Sequence, residues 1–150
     1  MAYTGRCACG AVTARIEGEP ARVGQCWCRQ CRKSAGGGPT SNAIFPASAI
    51  ALEGKLSRHS YRAQSGNTVH HDFCPNCGAT VLGATEARPD FLGIRLGFLD
   101  EGHALRPATA IWLDEAPEWA VIDPALEPHR RQPPAPGAAA KFGDDSRDGS

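Results

Sequence analysis

Seven cysteines stand in three short groups, and no other residues in the 150-residue chain could do chemistry at such density. Cys7-Ala8-Cys9 precedes Gly10, Cys26-Trp27-Cys28-Arg29-Gln30-Cys31 forms the second group, and Cys74-Pro75-Asn76-Cys77 precedes Gly78. Side chains two apart on a strand face the same side, so a Cys-x-Cys pair can offer two sulfurs to one ion. A Cys-x-x-Cys turn closed by glycine reads as a zinc knuckle. Pro75 sets its entry, and the glycine relieves the backbone where it curls back toward sulfur. Zinc closes a tetrahedron with four such ligands at about 2.3 Å.

The seven thiols divide as four plus three. Cys7 and Cys9 with Cys74 and Cys77 make a closed, structural site that joins segments about 65 residues apart. Cys26, Cys28 and Cys31 then hold a second zinc whose fourth position is vacant, the usual mark of a catalytic centre. Two other arrangements fit the spacing. Cys28 and Cys31 can join Cys74 and Cys77 in a ribbon-like site, and His70 or His71 can cap the trio into a merely structural one. A closed disulfide framework suits an odd count poorly.

Zinc held by three thiolates carries a net charge of about −1 and is a weak Lewis acid, so activating water is not its natural task. An incoming thiol is the better ligand: it loses its proton on zinc, and the thiolate is a nucleophile. The expected reaction is addition of that thiolate to an aldehyde carbonyl, with the reverse step a carbon–sulfur lyase reaction. His71, three residues before Cys74, is the candidate proton carrier; the alternative is a partly exposed strand histidine. Arg29, Arg32 and Lys33 are candidate partners for the carboxylates of a thiol such as glutathione, or else a solvated basic turn. Trp27 walls the site or packs, Trp112 and Trp119 read as core, and Asp100 and Glu101 read as a solvated turn.

Short strands must position these groups. From Ala11 to Glu17 the chain alternates, with Val12, Ala14 and Ile16 on one face and Thr13, Arg15 and Glu17 on the other. An extended run leads into Cys26, and Arg29–Ala35 has room for one or two helical turns before the Gly36-Gly37-Gly38-Pro39 break. Further strands are predicted over Asn42–Phe45, Ile50–Glu53, Leu56–Tyr61, Thr68–Phe73, Thr80–Ala84, Phe91–Leu99 and Ala110–Leu113, separated by turn residues. This predicts a mainly β domain over residues 1–126. Pro128, Pro133, Pro134 and Pro136 then open a segment that reads as a disordered tail over 127–150.

Composition narrows the function. Lys plus Arg equals Asp plus Glu at 16 each, which lacks the basic footprint of a nucleic-acid binder. No apolar run approaches the roughly 20 residues of a membrane span, and Met1–Gly5 lacks a signal-peptide core, so a cytoplasmic protein is expected. There, clustered cysteines bind metal or do redox work rather than form disulfides.

The motifs Gly5-Arg6-Cys7-Ala8-Cys9-Gly10-Ala11-Val12, Cys26-Trp27-Cys28-Arg29-Gln30-Cys31-Arg32-Lys33 and Phe73-Cys74-Pro75-Asn76-Cys77-Gly78 resemble the glutathione-dependent formaldehyde-activating enzyme family, also called Gfa-like or centromere-protein-V-type. The resemblance runs from about Tyr3 to Trp119 and includes Gly97-Phe98-Leu99-Asp100 and Pro117-Glu118-Trp119. It implies a Mss4-like β fold with two zinc ions, the structural one on Cys7, Cys9, Cys74 and Cys77 and the catalytic one on Cys26, Cys28 and Cys31. It also implies an S-(hydroxymethyl)glutathione synthase-like activity, condensing glutathione with formaldehyde. The competing expectation is a non-catalytic Mss4-like zinc module that binds a protein partner.

Overall fold

The computed structural model describes residues 2–133. In chain order the strands are β1 (Ala2–Arg6), β2 (Thr13–Glu17) and β3 (Arg22–Cys26), then a short helix α1 (Arg29–Ser34). There follow β4 (Thr40–Pro46), β5 (Ile50–Glu53), β6 (Ser57–Arg62), β7 (Thr68–Phe73), β8 (Thr80–Thr85), β9 (Phe91–Arg95), β10 (Thr109–Ile111) and β11 (Glu127–Pro128). The mainly β expectation holds. No helix among the described residues is long and apolar enough to cross a membrane.

Two sheets form. The smaller has the order β1-β2-β5, all antiparallel. The larger runs β11-β10-β3-β4-β9-β8-β7-β6, antiparallel except where β10 lies parallel to β3 and to β11. The alternation in β2 does what its sequence predicts. Val12, Ala14 and Ile16 are buried while Thr13, Arg15 and Glu17 are exposed. They meet Ala43 and Phe45 of β4, Val81 and Leu82 of β8, Ile94 of β9, and Phe98 and Leu99 in one core cluster. Cys7 and Cys74 belong to this same cluster, so the first and third cysteine groups are core residues in their own right.

The chain departs from expectation at both ends. β1 was not predicted. The expected tail begins at 127, yet Glu127 and Pro128 pair with Thr109 and Ala110, and the carbonyls of His129, Arg130 and Arg131 accept backbone N–H groups of Leu113, Asp114 and Trp112. Backbone pairing, not apolar content, fastens this strap. The rest of the expected tail, 134–150, lies outside the described residues. Trp112 is buried as expected, but Trp119 is 69% exposed and is not core.

Candidate metal centres

The turn between β1 and β2 carries Cys7 and Cys9, and the turn between β7 and β8 carries Cys74 and Cys77. Their four sulfurs all lie within 4.8 Å of one another. Cys7 Sγ is 3.7 Å from Cys9 Sγ, and Cys9 Sγ is 3.8 Å from Cys74 Sγ. Four sulfurs on a tetrahedron of radius about 2.3 Å stand about 3.8 Å apart, so the spacing matches zinc and far exceeds the roughly 2.05 Å of a disulfide. Backbone N–H groups of Val12 and Asn76 donate to the sulfurs of Cys7 and Cys74 at 3.2 and 3.4 Å. Burial pushes the Cys7 thiol up, but the Val12 N–H and the neighbouring sulfurs outweigh it and bring it down to about 6. Such donors favour the anionic sulfur that a metal needs.

Gly78 follows this cluster at φ 76°. A Cβ there would meet nothing within 4 Å, so only the left-handed backbone resists a side chain. Gly78→Ala is expected to cost about 1 kcal/mol, read as a fall of several degrees in Tm. An unchanged Tm would mean the turn relaxes freely.

Cys26 ends β3, and Cys28 and Cys31 bracket the start of α1. Their three sulfurs also lie within 4.8 Å of one another, and no histidine or carboxylate among the described residues joins them in that group. The ribbon-like alternative, with Cys28 and Cys31 on Cys74 and Cys77, does not form. Neither histidine caps the trio: His70 is held by Ser60 and Glu86, at 2.8 and 3.4 Å. Cys28 Sγ accepts the N–H of Cys31 at 3.4 Å and so N-caps α1. Hydrogen bonds from Cys28 and Cys31, with burial, push the Cys26 thiol well up. For Cys31 a bond with Cys26 pulls down, but Cys28 and burial raise it to about 12. Three buried thiols resist ionising together, so a cation is what would hold them as thiolates.

A cavity of about 420 Å³ reaches Cys26 and Cys31. Strand parity explains it. The face of the large sheet opposite the core carries Arg22, Gly24 and Cys26 on β3, Asn42 and Ile44 on β4, Val69 and His71 on β7, and Gly93 and Arg95 on β9. Register sets His71 opposite Gly83, Gly83 opposite Gly93, and Gly93 opposite Ile44. A neighbouring row runs Arg95, Asn42, Gly24, Thr109. Gly83, Gly93 and Gly24 fall in these two rows, and a Cβ on them would crowd Arg95, Ile44 and Thr109, so the glycines let those neighbouring side chains lie low along the cavity wall.

His71 lines this cavity but is buried, at 8% exposure, rather than half out in solvent. Its ring meets Tyr61 edge-on at 5.4 Å. Burial first, then the charge of Arg95, lowers its pKa from 6.5 to about 4. The unfolded chain therefore takes up this proton near its ordinary pKa of 6.5, the folded chain only near 4. The unfolded state binds more protons across that interval, so stability is lost as pH falls through it. His71→Gln is expected to flatten that part of the profile, reducing the stability lost between pH 7 and pH 5 by on the order of 1 kcal/mol. Denaturant titrations at both pH values test this, and an unaltered slope would clear His71 of the effect.

Arg29, Arg32 and Lys33 do not line the cavity. Arg32 instead holds the Trp27 carbonyl at 3.0 Å, and Trp27 packs with Ala110 and Leu126 away from the trio. The cations that do reach the cavity are Arg22, Arg88 and Arg95, none of them anticipated. Trp112 packs directly on Cys26, Cys28 and Cys31, at φ 59°. It is the only non-glycine residue with positive φ among those described. The strap holds it there, with Gln132 Oε1 accepting the indole N–H at 3.4 Å and the Arg131 guanidinium 5.9 Å from the ring.

A family model described as glutathione-dependent formaldehyde-activating enzyme matches residues 2–115, well over half of the chain. A Halomonas elongata protein named "Putative glutathione-dependent formaldehyde-activating enzyme" is 26% identical over 129 residues, covering 82% of this chain and 82% of its own. A crystal structure of a Rhodobacter sphaeroides protein matches with a TM-score of 0.55 at 23% identity, over 67% of this chain and 91% of that one. At that identity it speaks to the fold alone.

Proposed function

The chain belongs to the glutathione-dependent formaldehyde-activating enzyme family, and from that premise we propose that it is a zinc-dependent carbon–sulfur lyase. In this reading a small thiol such as glutathione adds reversibly to an aldehyde such as formaldehyde. The observation that carries it is the opening of the three-sulfur cluster onto a cavity of about 420 Å³, within the usual size range of small-molecule sites. A protein-binding scaffold has no need of such a hollow beside a metal centre.

Cys26, Cys28 and Cys31 would hold the catalytic zinc, and Cys7, Cys9, Cys74 and Cys77 the structural one. The catalytic ion would supply a binding position that strips the proton from the incoming thiol. The chain's own residues do the rest. The hollow brings the aldehyde carbon beside the sulfur. The carbon–sulfur bond forms as the carbonyl π bond breaks, and the thiol proton ends on the new hydroxyl, with no change of oxidation state. His71 lines the same cavity and is the candidate to relay that proton; its burial weakens it as a base, so it would hold the proton only in passing and give it up readily to the new alkoxide. Seven reduced thiols suit a reducing compartment such as the cytosol.

Cobalt-substituted protein tests the reading through its sulfur-to-metal absorption. Glutathione or another small thiol is expected to shift the bands of one of two metal ions. A spectrum indifferent to millimolar thiol would rule the mechanism out.

A further inference from the structure

Arg95 is the buried charge that this chemistry leaves unused. It is 7% exposed, ends β9 and lines the cavity. Its Nη1 donates to Asn42 Oδ1. Its Nε and Nη2 are buried without a hydrogen-bond partner among the described residues. Those two atoms share one edge of the planar guanidinium, the edge that receives a carboxylate through two parallel hydrogen bonds. A buried cation with that edge unmet is a cost that packing does not repay.

Two further features point to the same occupant. The hydroxyl of Tyr61 lines the cavity and is likewise buried without a partner; burial keeps it protonated, so it can donate. At Gly83 a Cβ would lie 3.0 and 3.2 Å from the two Nη atoms of Arg95, so this glycine keeps the seat of the guanidinium clear. The guanidinium of Arg95 lies within electrostatic reach of Cys31, Cys26, Tyr61 and Cys28, and Cys26, Cys31 and Tyr61 line the same cavity.

We propose that the cavity binds a carboxylate side-on at Arg95, with Tyr61 as a third donor, so that one of the two reactants is a carboxylic acid. Formaldehyde has no carboxylate and would fill little of the hollow. The acid group belongs either to the thiol or to the aldehyde. The proposal deepens the function proposed above, on which it rests for the placement of the reacting carbon but not for the carboxylate seat itself.

Calorimetric titration of the full chain with two probes distinguishes the sources. S-Methylglutathione carries the acid groups of a thiol without a free sulfur, and glyoxylate carries one on an aldehyde. At least one is expected to bind the wild type about tenfold or more tightly than its neutral amide counterpart. Arg95→Lys keeps the charge but removes the edge and is expected to erase most of that preference, while Tyr61→Phe reduces it a few-fold. The probe whose preference disappears identifies the acid. The proposal is overturned if neither acid outbinds its amide in the wild type, a comparison that needs no variant. It is equally overturned if folded Arg95→Lys keeps the preference, or loses zinc while keeping it, which would make Arg95 only a counter-charge to the sulfurs. Acid binding without any response of the metal centre to thiol would sink the lyase reading and leave this seat standing.

Discussion

Cys74→Ser is expected to leave the chain largely unfolded at 25 °C, with loss of cooperative melting and of one equivalent of zinc. Cys74 is fully buried in the main core cluster, and its sulfur lies 3.8 Å from that of Cys9, on a turn 65 residues away. One ion at this point would tie the β1–β2 turn to the β7–β8 turn, that is, the small sheet to the large one. The apolar core offers little to fall back on. Aromatic residues make up 7% of the chain, and among the largest fully buried side chains only Phe45 is aromatic. Structural zinc contributes roughly 10–16 kcal/mol in small metal domains, against a typical net stability of about 5–15 kcal/mol. Losing one of four ligands is therefore expected to remove most of the margin, and the buried serine hydroxyl would add its own cost. Circular dichroism and metal analysis test this together, and strong chelation of the wild type should reproduce the variant. A Cys74→Ser protein that melts cooperatively within a few degrees of the wild type would mean these four sulfurs staple nothing.

Most of the frame was legible because period-two alternation and turn residues are local signals. β2 showed its buried face in Ala14 and Ile16, with Val12 just before it, and the predicted limits of β5 and β7 agree with the fold to the residue. β9 was predicted to run to Leu99 but stops at Arg95, where Leu96–Phe98 tightens into a 3₁₀ turn and the Leu99 N–H bonds the Leu96 carbonyl. β1, reading Ala-Tyr-Thr-Gly-Arg, has no alternation to announce it, and Gly5 is there because any side chain would strike the Phe98 ring. β11 is two residues long, is held by backbone bonds, and includes a proline, which reads as tail.

The three cysteine groups were visible from spacing, but which of them share an ion was not: a ribbon-like site on Cys28, Cys31, Cys74 and Cys77 fits the same spacing, and it is the fold that keeps Cys26, Cys28 and Cys31 apart from the other four. The cavity was not visible either. Parity puts Phe91, Gly93 and Arg95 on one face of a strand, yet only the register shows that face to lie away from the core, with glycines as its neighbours. Its one trace in the sequence is an arginine inside an apolar run, Leu92-Gly93-Ile94-Arg95-Leu96. A charge there needs a partner that no local pattern names. Trp112 is a similar case. Its left-handed backbone is tolerated because Gln132 and Arg131, about twenty residues on, hold the indole against the sulfurs.

Cys28→Ser should give the opposite signature to Cys74→Ser. The trio forms a cluster of its own with Trp112, separate from the main core, so its loss does not unseat the sheets. Position 28 is also the one where serine fits best. Cys28 Sγ caps α1 by accepting the Cys31 N–H, and a serine hydroxyl is among the preferred caps, so the helix start survives. What goes is one of three thiolates. The variant is expected to stay folded, with stability within about 1 kcal/mol of the wild type, and to bind one zinc in place of two. The absorption change on adding thiol should vanish, and thiol–aldehyde turnover should fall by at least about 100-fold. Metal analysis, melting and cobalt spectroscopy on one preparation separate the cases. If Cys28→Ser unfolds as Cys74→Ser does, both centres are staples and the open-site chemistry fails. If it keeps two metals and the full thiol response, the reactive sulfurs lie elsewhere. Folded protein, one metal and a silent spectrum are what an incompletely ligated centre on the wall of a cavity requires.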